Sequence, residues 1–168
     1  MGPKTYTVEL DGGTLSRGFW LYVWNVTTPD DKQVLYVGRT GDNSTPNAQS
    51  PFNRMGQHLG FAKNSSMLRN HLGERGVKPE ECEFRFIAHG PVLGEVLDKD
   101  MEAHKQRRNI VGALEKKLAE DLRVAGYNVV NTINCHWPLD EALYGQIRSA
   151  FVDEFPRLAP GHRQGKEG

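Results

Sequence analysis

The chain has 168 residues, of which 38% are hydrophobic, and this apolar content suffices for one compact core but not for several domains. Its 21 basic residues balance 21 acidic ones, so no overall positive field attracts nucleic acid and any such surface must be local. Residues 32–75 are locally basic, with six basic side chains against two acidic ones. Two cysteines, no leader-like start and no apolar run near the roughly 20 residues of a spanning helix predict a soluble, cytoplasmic protein with no membrane partner.

The first predicted elements are the two strands of a β-hairpin. Residues 19–26 and 33–37 are rich in aromatic and β-branched side chains, and a cluster of Pro and Asp separates them. A three-residue connection is expected to put Tyr22 and Tyr36 on one face of the sheet, with Tyr22 opposite Tyr36, whereas a four-residue connection would put them on opposite faces. The ordinary interpretation of both rings is that they fill a core.

Two short helices are predicted after a polar, turn-rich connection of residues 38–50, which we expect to be mobile or to face a substrate. The first begins after Ser50, because Ser is a good N-cap and Pro follows it, and ends at Gly60. Residues 64–75 predict a second helix with Asn64 as its cap.

One more strand and two more helices complete the predicted elements. Alternation over residues 83–88 indicates a third strand that Gly90-Pro91 ends. Residues 98–124 and 139–155 predict amphipathic helices, and the Pro- and Gly-rich tail from residue 156 is expected to be flexible. The longer helix carries one apolar stripe, formed by Ile110, Val111, Leu114, Leu118 and Leu122.

Glu115 is an acidic residue inside that apolar stripe. It follows Val111 by four residues and precedes Leu118 by three, so helix geometry directs its carboxylate toward the core. A buried carboxylate is costly unless a cation or hydrogen-bond donors compensate it. Taken alone, Glu115 is better interpreted as a stripe-edge residue paired with a surface Lys. Together with the residues below, it is a candidate ligand for a hard cation such as Mg²⁺, which few carboxylates and several waters can hold.

Arg54 and His58 are four residues apart on the first predicted helix, so their side chains emerge side by side. Arg offers a forked and permanently charged set of donors for a phosphate, and His can exchange a proton near neutral pH. The ordinary alternative is a solvated Arg beside a structural His.

Asn128 follows the long helix directly after Gly126 and Tyr127. Its amide could hold the hairpin by hydrogen bonds or serve as turn chemistry, and Asn131 is a competing candidate for the same role. The basic cluster of Lys105, Arg107 and Arg108 on the long helix could contact a nucleic-acid backbone, although a solvated helix face is the more ordinary interpretation.

In their order along the chain, these residues resemble the GIY-YIG nuclease family over about residues 18–131. The two signature triplets correspond to Trp20-Leu21-Tyr22, with Trp where the family has Gly, and to Tyr36-Val37-Gly38. The further matches are Arg39, Arg54, His58, Glu115 and Asn128.

The resemblance implies an α+β fold, a small three-stranded antiparallel sheet flanked by helices, with an extra C-terminal helix. The chain then divides into an N-terminal extension (1–17), the GIY-YIG-like domain (18–135), a C-terminal helix (136–155) and a flexible tail (156–168). The implied activity is that of a divalent-metal-dependent endonuclease that hydrolyses phosphodiester bonds by a one-metal mechanism, in DNA rather than RNA.

The resemblance also implies a role for each matched residue. Glu115 would hold Mg²⁺ or Mn²⁺ beside the scissile phosphate, and Tyr22 or Tyr36, with or without His58, would take a proton from the attacking water. Which tyrosine is the base stays open.

Charge and position explain the other implied roles. Arg54 would offset negative charge in the transition state with the help of Arg39, and Asn128 would hold sheet and helix together. The alternative is a catalytically reduced module that binds nucleic acid or protein on the same scaffold, which the balanced net charge and the Trp at position 20 favour.

Overall fold

The computed structural model describes residues 2–42, 46–64 and 66–161 of the chain. Within these ranges three strands form one antiparallel sheet: β1 (Phe19–Thr27), β2 (Gln33–Arg39) and β3 (Glu83–Leu93). The spatial order is β2-β1-β3, so both β2 and β3 lie at edges. Four α-helices accompany the sheet in the same ranges: α1 (Pro51–Leu59), α2 (Met67–Glu74), α3 (Met101–Val124) and α4 (Glu141–Val152). The α+β class and the three-stranded antiparallel sheet are confirmed.

The β1–β2 hairpin has the three-residue connection, closed by a hydrogen bond from the Thr28 amide to the Lys32 carbonyl at 2.9 Å. Tyr22 and Tyr36 therefore share a face of the sheet. The expected pairing of the two is wrong, however, because Tyr22 lies opposite Gly38 and Tyr36 lies opposite Trp24. Thr28 faces Lys32 at the turn, so Tyr22, six residues before Thr28, must face Gly38, six residues after Lys32.

The sheet is covered on both faces because its strands alternate between two apolar sets. Odd-numbered residues of β1 and β2, such as Leu21 and Val37, pack with α3, α4 and the segment after α4. Even-numbered residues, among them Tyr22 and Tyr36, pack with α2 through Leu68 and Leu72. The two sets of side chains thus build two cores that meet at the sheet.

The predicted bounds are confirmed for the first short helix and need correction for the second. Helix α1 begins after Ser50 and ends before Gly60 as expected, but it buries Pro51 and His58 rather than Phe52, which is 46% exposed. Helix α2 begins at Met67 and not at Asn64, since the chain turns at residues 63–64 before the helix starts. Residues 43–45 of the predicted mobile connection lie outside the described residues, as does residue 65.

Strand β3 continues past Gly90-Pro91, so the predicted end of this strand is wrong. Proline is tolerated in an edge strand because one side of that strand needs no ladder hydrogen bonds. Gly90 has a φ of 153°, and a Cβ there would lie 2.8 Å from the Trp20 ring, so the chain bulges closely over that ring and then pairs again at Leu93.

The C-terminal elements are shorter than predicted. Helix α3 begins at Met101 because the Asp100 carboxylate accepts hydrogen bonds from the amides of Glu102 and Ala103, and Ile110 lies outside its buried stripe. Asp140 caps α4 in the same way.

The tail expected to be flexible from residue 156 is described by the structure as far as residue 161. It forms a 3-10 turn at Pro156–Leu158, because Leu158 is buried against the core. The expected flexibility of the tail stays a prediction, and residues 162–168 lie outside the described ranges. Of the helices that the structure describes, none has the length and apolarity needed to cross a membrane.

Candidate functional site

The pairing of Tyr22 with Gly38 brings an aromatic ring across the edge strand β2. A Cβ at residue 38 would overlap the Tyr22 ring, with the nearest atoms at its hydroxyl end. Gly38 therefore lets the fully buried Tyr22 side chain reach from β1 over β2 toward α1. This is the physical reason for a glycine at the end of the second triplet.

Tyr22, His58 and Arg54 form a hydrogen-bonded cluster between β1 and α1. The Tyr22 hydroxyl lies 2.6 Å from Nε2 of His58, and both side chains are fully buried. Arg54 donates from Nε to the Tyr22 hydroxyl at 3.5 Å, and its Nη1 donates to Gln57 at 2.8 Å. The predicted side-by-side projection of Arg54 and His58 is confirmed.

Burial, and then the nearby Arg54 charge, lower the pKa of His58 to about 3, so its imidazole is neutral. Nδ1 of this ring has no hydrogen-bond partner among the described residues. The tautomer that leaves the fewest unpaired groups is the one in which the Tyr22 hydroxyl donates to Nε2, while the Tyr22 oxygen accepts from Arg54.

Tyr36 completes this aromatic group from the neighbouring strand. The His58 ring centroid lies 4.9 Å from the ring centroid of Tyr36 and 5.5 Å from that of Tyr22. Burial is the main cause of the raised pKa of both tyrosines, and the Glu115 charge raises both further. The two phenols are therefore protonated at neutral pH.

Glu115 lies on α3 and is paired with Arg39 at the end of β2. Nη1 of Arg39 lies 2.9 Å from Oε2 of Glu115, and both side chains are largely buried. Gly112, one turn before Glu115, makes this contact possible, since a Cβ at residue 112 would overlap the Arg39 guanidinium. The spacing that predicted a buried Glu115 is confirmed, while its partner is Arg39 and not a surface Lys.

Burial raises the pKa of Glu115 to about 7, against the lowering effects of Arg39 and Arg54 and with a further rise from Asp42. The Glu115 charge raises the pKa of both tyrosines, and the Arg54 charge lowers the pKa of both tyrosines and of Glu115, so these groups lie within electrostatic range of one another. Strands β1 and β2 and helices α1 and α3 bring these groups into one site.

Two residues of this site were missed in the sequence. Asp42 follows β2 and lies 3.5 Å from the Arg54 guanidinium, and Gly112 provides the space for Arg39. An acidic residue in a polar connection and a glycine inside a helix are too common to stand out. A glycine one turn before a buried Glu was the available signal.

The amide that holds β2 belongs to Asn131 and not to Asn128. The Asn131 side chain accepts from the Val37 amide at 3.0 Å and donates to the Val37 carbonyl at 2.7 Å. Asn128 is exposed, and its backbone carbonyl accepts from the Leu35 amide at 2.8 Å. The positioning role given to Asn128 is thus corrected to its competitor, because the chain approaches β2 as a parallel bridge and the Asn131 side chain faces it.

The donor set near Glu115 is compatible with a hard cation. Among residues 2–42, 46–64 and 66–161, no three His, Cys, Asp or Glu side chains cluster as metal ligands. A metal at this site would therefore have the Glu115 carboxylate as its protein ligand, with Asp42 as a second acid nearby, and waters elsewhere. Mg²⁺ accepts such a sparse set, and the raised pKa of Glu115 indicates a carboxylate that lacks full compensation.

Similarity to known proteins does not assign a function to this site. No protein-family model, no curated protein and no solved structure matches the chain. The function must be argued from the side chains themselves.

Proposed function

We propose that the protein is a divalent-metal-dependent endonuclease that hydrolyses phosphodiester bonds, with DNA as its substrate, as the resemblance to GIY-YIG nucleases implies. The observation that supports this most is the hydrogen-bonded cluster of Tyr22, His58 and Arg54, together with the buried Glu115–Arg39 pair, whose carboxylate is near enough to raise the pKa of Tyr22 and Tyr36. An acid for a cation, a guanidinium for a phosphate and phenols for proton transfer are the groups that phosphodiester hydrolysis needs.

Glu115 would hold the cation, and Arg39 would hold Glu115. A bound Mg²⁺ supplies positive charge to the phosphoryl oxygens and favours ionisation of a bound water. Because the pKa of Glu115 is about 7, its carboxyl is partly protonated at neutral pH and would have to lose that proton to hold a cation. Arg39 keeps one carboxylate oxygen oriented and leaves the other as the ligand.

Arg54 would bind the scissile phosphate and offset the charge of its transition state. The guanidinium is held by Gln57 and by Asp42, and its contact with Tyr22 is long, at 3.5 Å. A phosphate competes well for such a weakly held fork of donors. Movement of Arg54 toward the phosphate would expose the Tyr22 oxygen to water.

Tyr22 and His58 would then move the proton of the attacking water. A protonated phenol accepts a proton only when it releases its own, and the 2.6 Å contact with Nε2 of the neutral His58 provides the acceptor. When Arg54 moves to the phosphate and water enters, both causes that hold the pKa of His58 near 3 would weaken, and Nε2 would take the Tyr22 hydroxyl proton as the Tyr22 oxygen takes the proton of the water. The hydroxyl contact at 2.6 Å distinguishes Tyr22 from Tyr36, whose contact with His58 is between the rings, with 4.9 Å between their centroids.

Glu115→Gln tests the proposal directly. We expect nicking of supercoiled plasmid in Mg²⁺ or Mn²⁺ to fall by about 100-fold or more, because the cation loses its charged ligand while the side-chain volume stays the same. Glu120→Gln on the exposed side of α3 is the matched control and should cut like the wild type. Wild-type cutting by Glu115→Gln, or no cutting by the wild type with either metal, contradicts the proposal.

The pKa of Glu115 gives a second test that needs no substrate. Without metal, a folded pKa of about 7 lies above the ordinary value of 4.5, so this carboxyl costs stability as the pH rises from about 4.5 to 7, and the full cost is present above 7. Mg²⁺ should remove that cost. We expect Mg²⁺ to raise the melting temperature more at pH 8 than at pH 6, and to have no such effect on Glu115→Gln.

One observation favours the second candidate function, a module that binds nucleic acid without cutting it. Arg39 already forms an ion pair with Glu115 at 2.9 Å without a metal. Such a module would bind DNA equally in chelator and in Mg²⁺ and would leave plasmid intact. The nicking assay, run beside a binding assay in chelator, separates the two functions.

A further inference from the structure

A cavity of about 380 Å³ lies beside Arg39, outside the cluster of Tyr22 and His58. Helix α3 forms one wall with Arg108, Asn109 and Gly112, and residues 134–137 form the other. Its volume falls within the range of small-ligand sites and suits one nucleotide rather than a double helix.

The cavity is basic although the whole chain has no net charge. Arg39 and Arg108 contribute two guanidinium groups, His136 lies at the wall, and the lining contains no acidic residue. Nε of Arg39 is buried without a hydrogen-bond partner among the described residues. In the same part of the chain, no carboxylate forms an ion pair with Arg108. Although Nη1 of Arg39 is paired with Glu115, the free guanidinium of Arg108 and the unpaired Nε of Arg39 point to an anionic ligand in the cavity.

Trp137 adds an aromatic surface to this basic cavity. It is 58% exposed, whereas Trp20 and Trp24 are buried in the sheet. A second, more apolar cavity of about 290 Å³, with Ile110 and Pro138, borders the same indole. An exposed indole between a basic and an apolar hollow is suited to stacking on a nucleobase whose phosphate lies on the arginines.

We propose that this cavity, here called the Trp137 cavity, binds one unpaired nucleotide next to the phosphate that is cut. The proposal rests on the proposed nuclease function and names its substrate class: duplex DNA with a single-stranded flap or gap. A base inside a duplex has both faces stacked on its neighbours, so it offers none to Trp137, whereas an unpaired base does. Arg39 belongs to both sites and sets the unpaired nucleotide beside Glu115.

Fluorescence of the full chain in chelator tests this binding apart from cutting. Since Trp137 is the exposed indole, we expect its emission to be quenched by a duplex with a three-nucleotide flap and not by the fully paired duplex. A flap of abasic nucleotides keeps the phosphates but lacks the bases, and it should bind without quenching. Equal quenching by the paired or abasic duplex, or none by the intact flap, overturns the proposal.

Affinities measured by anisotropy of a labelled duplex complete the test. Trp137→Ala should weaken binding of the flapped duplex by about 10-fold and change binding of the paired duplex less than about twofold, and Trp137→Phe should restore most of the loss. Phe61→Ala, which removes another exposed aromatic side chain, is the matched control and should leave the preference for a flap intact. Uniform weakening on both duplexes by Trp137→Ala contradicts the proposal. A protein that shows this preference but cuts no DNA would refute the nuclease function and not the nucleotide site.

Discussion

At the residue scale, the free-energy cost of the candidate site lies in buried side chains whose pKa is shifted. His58 is fully buried, its imidazole is held neutral, and Nδ1 finds no partner among the residues that the structure describes. A surface His on α1 would carry none of these costs. The Tyr22 hydroxyl is the compensation that the fold provides, through the 2.6 Å contact with Nε2.

This burial predicts a specific loss of stability in acid. The folded pKa of His58, about 3, lies below the ordinary 6.5, so its stabilisation is complete above pH 6.5 and is lost as the pH falls toward 3. Between pH 6.5 and 4.5 the free energy of unfolding should fall by about 2 kcal/mol from this residue. Urea unfolding of wild type and His58→Gln at both pH values measures it as the difference between the two slopes.

Wild type must be compared with His58→Gln because Glu115 titrates in the same pH range and changes the stability in the opposite direction. Its raised pKa lowers stability as the pH rises, and both proteins share that effect. Parallel pH dependence of His58→Gln and wild type would show that His58 is not buried in its neutral form.

At the residue scale, helix spacing predicted part of the candidate site, and the resemblance to GIY-YIG nucleases implied the rest. The i, i+4 spacing of Arg54 and His58 and the stripe position of Glu115 follow from helix geometry alone. The partners did not follow, because the Tyr22–His58 and Arg39–Glu115 contacts join residues 36 and 76 positions apart. Contacts at such separations depend on packing that no local pattern encodes.

At the scale of the elements, α3 presents the acid of the site and the space for its partner. Glu115 and Gly112 lie one turn apart on the same side of this helix, and the Arg39 side chain from β2 fills the space that Gly112 leaves. Gly112 lowers the intrinsic stability of the helix, since glycine in a helix interior costs about 1 kcal/mol relative to alanine.

We therefore predict different outcomes for two glycine-to-alanine substitutions in helices. Gly145→Ala on α4 adds a Cβ in open space and should raise the free energy of unfolding by about 0.5–1 kcal/mol. Gly112→Ala should bring no such gain in the free energy of unfolding, because its Cβ displaces the flexible end of the Arg39 side chain. Cleavage by this variant should fall by about 10-fold, since Glu115 loses its orienting partner. Chemical unfolding and plasmid nicking of both variants measure the two effects.

The outcome that contradicts this account is equally specific. If Gly112→Ala gains as much stability as Gly145→Ala and cuts like the wild type, Arg39 does not need the space beside α3, and the Arg39–Glu115 pair does not orient the acid.

Element boundaries could be predicted where a cap or a turn announces them. Ser50 before α1 and the Pro29–Asp31 connection are local signals, and both were interpreted correctly apart from the pair that faces Tyr22. The end of β3 was misjudged because Gly90-Pro91 is a stop signal in a central strand but not in an edge strand. Whether a strand lies at an edge is a property of the sheet.

At the scale of the whole molecule, the C-terminal part of the chain covers the open edge of β2. Asn131 makes two hydrogen bonds to the backbone of Val37, 94 positions away, and Leu35 bonds to the backbone on either side of Val129. These bonds pair polar groups of an edge strand that would otherwise meet solvent or another chain.

Asn131→Ala should therefore cost about 2–4 kcal/mol of unfolding free energy, because it leaves the amide and the carbonyl of Val37 without partners in a buried place. Asn128→Ala is the matched control and should change stability by less than about 0.5 kcal/mol, since Asn128 takes part through its backbone. Urea unfolding at pH 8 compares them. A larger loss for Asn128→Ala than for Asn131→Ala would reverse the assignment of the positioning residue.

The sequence by itself determined the order of the strands and helices along the chain and the residue types that carry the proposed chemistry, because periodicity, caps and side-chain chemistry are local properties, and its resemblance to GIY-YIG nucleases implied the class of fold. Tertiary structure alone decided that Asn131 holds β2, that Gly112 and Asp42 belong to the site, and that Trp137 borders a basic cavity beside Arg39. The physical reason is packing: burial, pairing and altered pKa values arise when distant segments exclude water together, and the spacing of residues along one segment does not specify its neighbours.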